Sequence, residues 1–154
     1  MRNQQSINLF SEIISALLIL LFVYTAISKL LDFSNFKAVL VKSPLIGSFA
    51  GIISIVLPLI ELFISALLII PQSKIKGLFL SFLVMCVFTI YLGLMILFSA
   101  ELPCSCGGVI GSFSWSQHLI FNVIVTILAL IAWSLAKKNN NLFIAINRGN
   151  RKPV

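Results

Sequence analysis

Charge is what this sequence has least of. Its 154 residues hold four acidic side chains (Glu12, Asp32, Glu61 and Glu101), one histidine, and eleven Lys and Arg. Only 10% of residues are charged, where soluble domains carry about 25%. So few charges, with 60% hydrophobic residues, exclude a folded surface facing water and point to an integral membrane protein. A net charge of +7 would suggest nucleic acid in a soluble chain. Here the basic residues flank apolar runs, so the expected partner is a lipid bilayer and not nucleic acid. An internal repeat is missing, and so is an A-x-A-like cleavage site after the first apolar run. That run also exceeds the ~7–15 residues of a signal-peptide core, so it reads as a true span.

What the chain does have is four apolar segments, each near the roughly 20 residues that cross a bilayer core. They lie at about 10–30, 48–70, 77–99 and 118–136. The first carries charge only near its edges, at Glu12 and Lys29; the second contains Glu61; the third has none; the fourth opens on His118. The expected fold is an all-α, integral membrane four-helix bundle, one domain over 1–136, followed by a loose basic tail over 137–154. Between the first two spans, Phe33, Phe36 and Leu40 recur at helical spacing. They predict a short interfacial helix, with Ser34 as its N-cap. Pro71-Gln72-Ser73-Lys74 is a short turn that makes the second and third spans antiparallel neighbours.

Basic residues set the expected orientation. With the N-terminus in the cytoplasm, eight Lys and Arg lie inside, at Arg2, Lys74, Lys76 and in the tail from Lys137. Three lie outside, at Lys29, Lys37 and Lys42. The positive-inside rule therefore puts both termini in the cytoplasm and the 100–117 connection outside. An outside loop faces an oxidising compartment, where disulfides persist.

That outer loop holds Pro103-Cys104-Ser105-Cys106-Gly107-Gly108, with two of the chain's three cysteines. Pro103 biases Leu102 away from helix, and the two glycines allow a sharp turn after the second thiol. A disulfide wants Cα atoms roughly 4.4–6.8 Å apart, and residues i and i+2 of an extended chain sit near the upper limit. A Cys104–Cys106 bridge thus needs a turn and carries strain, which is characteristic of labile, catalytic disulfides. Two other readings stand beside it. Paired thiolates also hold Cu(I) or zinc, with His118 as a third ligand. The pair can equally be two loop cysteines without chemistry. Cys86, by contrast, lies about 21 Å below the end of its span by helix rise, too far to pair with either, and reads as buried packing.

Within the spans Glu61 stands out. An intramembrane carboxylate costs about 2.5–3.5 kcal/mol on insertion scales and marks a functional site, for protons or a ligand, or else a polar anchor bonded to Thr25 or Thr89. Lys29 lies nearer the outer end and can snorkel outward; pairing with Glu61 requires staggered helices. His118 opens the fourth helix beside Trp115, which suits the interfacial aromatic belt, with Ser114 or Ser116 as the cap. Asn122 lies one turn further on and can reach the Cys loop. His118 and Asn122 are the candidates for tuning a thiolate there, since cationic or dipolar neighbours stabilise it.

Three stretches together resemble the MauE/DoxX group of small redox-associated membrane proteins, especially its methylamine-utilisation MauE branch. They are Tyr24-Thr25-Ala26-Ile27-Ser28-Lys29-Leu30-Leu31-Asp32, Leu57-Pro58-Leu59-Ile60-Glu61-Leu62 and the Cys104–Gly108 run. Ser114-Trp115 followed by Asn122 is similar to the start of that family's last span, and the resemblance covers about residues 10–136. Gly107 directly after the second cysteine is a small departure from the family's usual C-x-C-F/x-G run. The resemblance implies service to a disulfide-rich periplasmic protein beside a thioredoxin-like partner. The expected location is then the inner membrane, multi-pass, with the Cys loop toward the periplasm. The helical architecture also looks like that of DsbB and the vitamin K epoxide reductases, which pass electrons from thiols to quinone. Those proteins use C-x-x-C pairs, whereas this chain has one outer C-x-C, so a complete quinone relay is not implied. The expected function is thiol–disulfide exchange through Cys104 and Cys106. The rivals are a scaffold subunit with a structural or metal-binding pair, and a quinone-binding partner subunit.

Overall fold

A computed structural model describes residues 2–43, 46–98 and 115–149. Nearly all of these are helical, with no strand among the described residues. The helices are α1 (Arg2–Leu31), α2 (Phe33–Lys42), α3 (Ala50–Ile69), α4 (Lys74–Phe98) and α5 (Trp115–Gly149); a 3₁₀ turn at Gly47–Phe49 leads into α3. Four stretches are long and apolar enough to cross a membrane: Leu9–Leu31, Gly47–Ile69, Lys74–Leu97 and Ser116–Asn140. They coincide with the four expected spans, and the protein is a multi-pass membrane protein.

Proline and glycine mark the breaks. Ile70 precedes Pro71 and is extended (φ −80°, ψ 115°), which ends α3. Ser43 precedes Pro44 and is likewise extended (φ −73°, ψ 126°), which ends α2. Two expectations change here. Asp32, not Ser34, is the N-cap of α2, and its side chain makes no capping bond. It accepts instead from Asn35 at 3.1 Å. The last helix does not stop near residue 136: α5 continues to Gly149, because no Gly or Pro interrupts the sequence before that residue.

The long helices close a ring, α1 against α3, α3 against α4, α4 against α5 and α5 against α1. Consecutive members run antiparallel, so α1 ends, α3 starts, α4 ends and α5 starts at one end of the bundle. That end is called the α2 end below, and the Ile70–Ser73 turn marks the other. Lys74, opening α4, pairs with Glu12 of α1 at the turn end. The core holds Ile14, Leu18, Phe22, Ile64, Leu68 and Leu78, with Ala129 and Ala132 letting α5 approach closely. Large apolar residues such as Leu20, Ile52, Val87 and Leu97 point outward, which suits lipid rather than water. Polar side chains in the helices mostly serve their own backbones: Ser65 donates to Glu61 O at 2.9 Å and Ser81 to Gly77 O at 2.8 Å. This is what a lipid environment demands of buried hydroxyls.

The link from α2 into α3 is very tight. Gly47 N–H donates to Ser43 O at 3.0 Å, and a Cβ on Gly47 would fall 2.6 Å from the Val41 carbonyl oxygen. Both neighbours are backbone, so relief requires the chain itself to move. Gly47→Ala should therefore destabilise the protein by about 1–3 kcal/mol. Gly51→Ala, where a Cβ meets nothing within 4 Å, should be neutral or stabilising. Thermal unfolding in detergent checks the pair; equal midpoints for the two variants would remove the Gly47 contact as a constraint.

Candidate functional site

Polar side chains from four helices gather between the middle of the bundle and its α2 end. Glu61, on the inward face of α3, is 1% exposed. Its Oε1 accepts from Lys29 Nζ of α1. The side chains are 2% and 17% exposed, so this is a buried pair rather than a surface one. Lys29 does not snorkel outward as expected. Thr25, one helical turn below Lys29, is the residue beside the Glu61 carboxyl group. The long lysine stem covers that turn, about 6 Å of rise, by reaching inward. Two rings frame the ammonium: Phe36 of α2, with its centroid 5.9 Å away, and Phe88 of α4, at 5.6 Å. Lys29 thereby ties α1 to α2, α3 and α4 at one point.

Of the two hydroxyls expected to anchor Glu61, Thr25 stands within hydrogen-bond reach of its carboxyl group and Thr89 does not. Thr25 gives its hydroxyl to Phe22 O at 3.2 Å. Thr89 donates to Met85 O at 2.7 Å and lies 3.1 Å from the Thr126 hydroxyl. Glu61 Oε2 is buried, and among the described residues no hydrogen bond of ordinary geometry reaches it.

A second polar cluster seats the end of α2. Tyr91 of α4 donates its hydroxyl to Ser43 Oγ at 3.0 Å, and Ser43 Oγ donates to the Met95 sulfur at 3.7 Å. Ser43 and Leu40 are buried. The helix expected to lie in the interface is thus pinned across the mouth of the bundle, from Phe36 beside Lys29 to Ser43 against α4. No periodicity shows this in the sequence; Tyr91 and Met95 read there as ordinary residues of an uncharged span.

A third line of polar groups runs along α5. Asn122 is buried and donates Nδ2–H to His118 O at 2.9 Å. Thr126 donates to Asn122 O at 2.7 Å and meets Thr89 of α4. His118 is half-buried. His118 and Asn122 therefore share one stretch of α5, close to its start. Cys104 and Cys106 lie outside the described residues, as does Ser114; their segment joins the end of α4 to the start of α5. Cys86 is a free thiol in α4, half-buried and not fully buried as expected. No group of three or more His, Cys, Asp or Glu side chains gathers among the described residues.

The family model described as methylamine utilisation protein MauE matches residues 7–135. The chain belongs to the MauE family. The match takes in all four membrane-crossing stretches up to residue 135, the Lys29–Glu61 pair and the Cys104–Cys106 run. No curated protein and no solved structure matches the chain.

Proposed function

We propose that this MauE-family membrane protein carries out thiol–disulfide exchange with a thioredoxin-like partner outside the inner membrane, through Cys104 and Cys106. The observation that carries the reading is a Cys-x-Cys pair in the connection between α4 and α5 of a MauE-family bundle. The charge asymmetry supports placing that connection in the periplasm. His118 and Asn122 stand within two turns of the start of α5 and are the positioning residues for the pair.

The exchange balances within two proteins. A thiolate of the partner attacks one sulfur of the Cys104–Cys106 disulfide, forming a mixed disulfide and releasing the other sulfur as thiolate. The partner's second thiol, losing its proton, then attacks the mixed bond. The partner leaves as a disulfide, two electrons poorer, and this chain retains two thiols. The reverse sequence oxidises this chain.

The test is the thiol state of the pair in intact cells. In a Cys86→Ala background, a membrane-impermeant, mass-tagged thiol reagent is added before and after mild reductant. The expected result is no tag without reductant and two tags after it. Two tags without reductant, lost on adding Cu(I) or zinc, would replace exchange by a metal site. Labelling only after the membrane is opened would reverse the orientation.

A further inference from the structure

Charge is unevenly shared between the two ends of the bundle. The turn end carries Lys74 and Lys76 at the start of α4, and Lys137 and Lys138 where the fourth membrane-crossing stretch finishes. Among the described residues Glu12 is the carboxylate at that end, and it takes Lys74. Of the other three acidic residues, Asp32 and Glu61 lie toward the α2 end, and Glu101 belongs to the connection that leaves α4 there. Lys76, Lys137 and Lys138 are exposed, and none of them is in an ion pair among the described residues.

A pair of rings fixes where two of these lysines stand. Phe79 of α4 and Trp133 of α5 meet across the seam between the two helices, with centroids 5.1 Å apart. Phe79 is 38% exposed, so the seam is open to lipid at that level. Lys76 lies three residues before Phe79 and Lys137 four after Trp133, spacings that keep each lysine on the face of its ring residue. Because α4 and α5 are antiparallel, both steps lead toward the turn end, by roughly 4.5 and 6 Å of rise. The two lysines therefore flank the seam at one level, one on each helix, just beyond the rings. Lys137 Nζ stands 5.0 Å from the Trp133 ring centre. That contact steers the ammonium toward the seam and leaves its charge uncancelled. Since α5 runs unbroken to Gly149, helix rather than loose tail holds Lys137 in this register.

Two ammonium groups above an apolar ring floor, where membrane-crossing stretches begin and end, match a phospholipid. The phosphate sits between the lysines, and the glycerol and upper acyl chain lie along Phe79 and Trp133. A zwitterionic headgroup would bring a further cation to a patch already rich in them, so an anionic lipid fits better. We infer that the α4–α5 seam at Lys76, Phe79, Trp133 and Lys137 binds the phosphate of an anionic phospholipid from the leaflet at the turn end. The site uses neither the cysteine pair nor Lys29 and Glu61, and stands apart from thiol exchange.

Trp133 is its own reporter. The chain's other tryptophan, Trp115, opens α5 at the opposite end and is removed by Trp115→Phe. The full-length protein is placed in vesicles of phosphatidylcholine with brominated chains, which quench Trp133 on contact. Non-brominated phosphatidylglycerol or phosphatidylcholine is then mixed in. Phosphatidylglycerol should relieve the quenching at a mole fraction about tenfold lower than phosphatidylcholine requires. Lys76→Gln and Lys137→Gln should each cut that preference about fivefold, the worth of one basic residue beside an anionic headgroup. Lys138→Gln removes the same charge one residue further round α5, off the Trp133 face, and should cut it clearly less. All three lysines are exposed, so the variants keep the fold. Equal relief by the two lipids would overturn the inference. So would equal losses in the three variants, which would make the attraction one of diffuse charge rather than a site. Inorganic phosphate that abolishes the preference at constant ionic strength would make the occupant a free anion and overturn the lipid.

Discussion

Lys29→Met should be the most damaging single substitution in the bundle, and Lys29→Met combined with Glu61→Leu should recover most of the loss. Breaking a buried ion pair by removing one partner costs about 3–5 kcal/mol, because the other charge is left without compensation. On the usual scale for a chain of this size, that lowers the unfolding midpoint by on the order of 10 °C. The two singles should differ. After Lys29→Met, the Glu61 carboxyl group remains 1% exposed with its counter-charge gone. After Glu61→Leu, Lys29 still has the rings of Phe36 and Phe88, and its flexible stem can turn toward the interface near the end of α1. Glu61→Leu should therefore cost clearly less than Lys29→Met. Replacing both removes the desolvation penalty together with the attraction, which is often near neutral. Thermal midpoints in one detergent, for the two singles and the double, check the order. A double variant as unstable as the sum of the singles would show that the two residues do not act as a pair.

The second large effect is all-or-none. Cys104→Ser and Cys106→Ser, each in a Cys86→Ala background, should each leave one reactive thiol that traps the partner as a mixed disulfide, since exchange passes through that species. Replacing both should abolish the trapped band on a non-reducing gel. Protein level should stay unchanged, because a disulfide closing so few residues constrains the unfolded chain little. Cys86 should trap nothing: it lies twelve residues before the end of α4, about 18 Å along the helix, and is half-buried. A trapped band that survives in the double serine variant would show that it does not arise from the pair.

Membrane character was legible because it depends on composition alone. In lipid each segment must satisfy its backbone internally, so a run of about 20 apolar residues is helix whatever its periodicity. The four spans, the short helix before the second, the Pro71 turn and the family follow from that and from local motifs. Local chemistry was less secure at the helix ends. Ser34 has the right residue type for a cap, but the cap lies two residues earlier, at Asp32, and the helix begins at Phe33. The last span was expected to end near residue 136, where the sequence turns polar, yet polarity does not stop a helix that meets no Gly or Pro before Gly149.

Glu61 announced itself in the sequence, as any carboxylate within a span does, but its partner did not. Lys29 lies 32 positions away and reaches Glu61 only because α1 packs on α3 with Thr25 beside the carboxyl group and Lys29 one turn higher. The two rings beside its ammonium come from two further helices. The seating of Ser43 on Tyr91 likewise belongs to the packing. The sequence by itself determined how many times the chain crosses the bilayer, since burying an apolar segment in lipid is a property of that segment alone. Which side chains meet inside the bundle was decided only by the tertiary structure, because helix rotation and stagger are set by contacts between segments, and lipid, as apolar as the helix surfaces, does not dictate them.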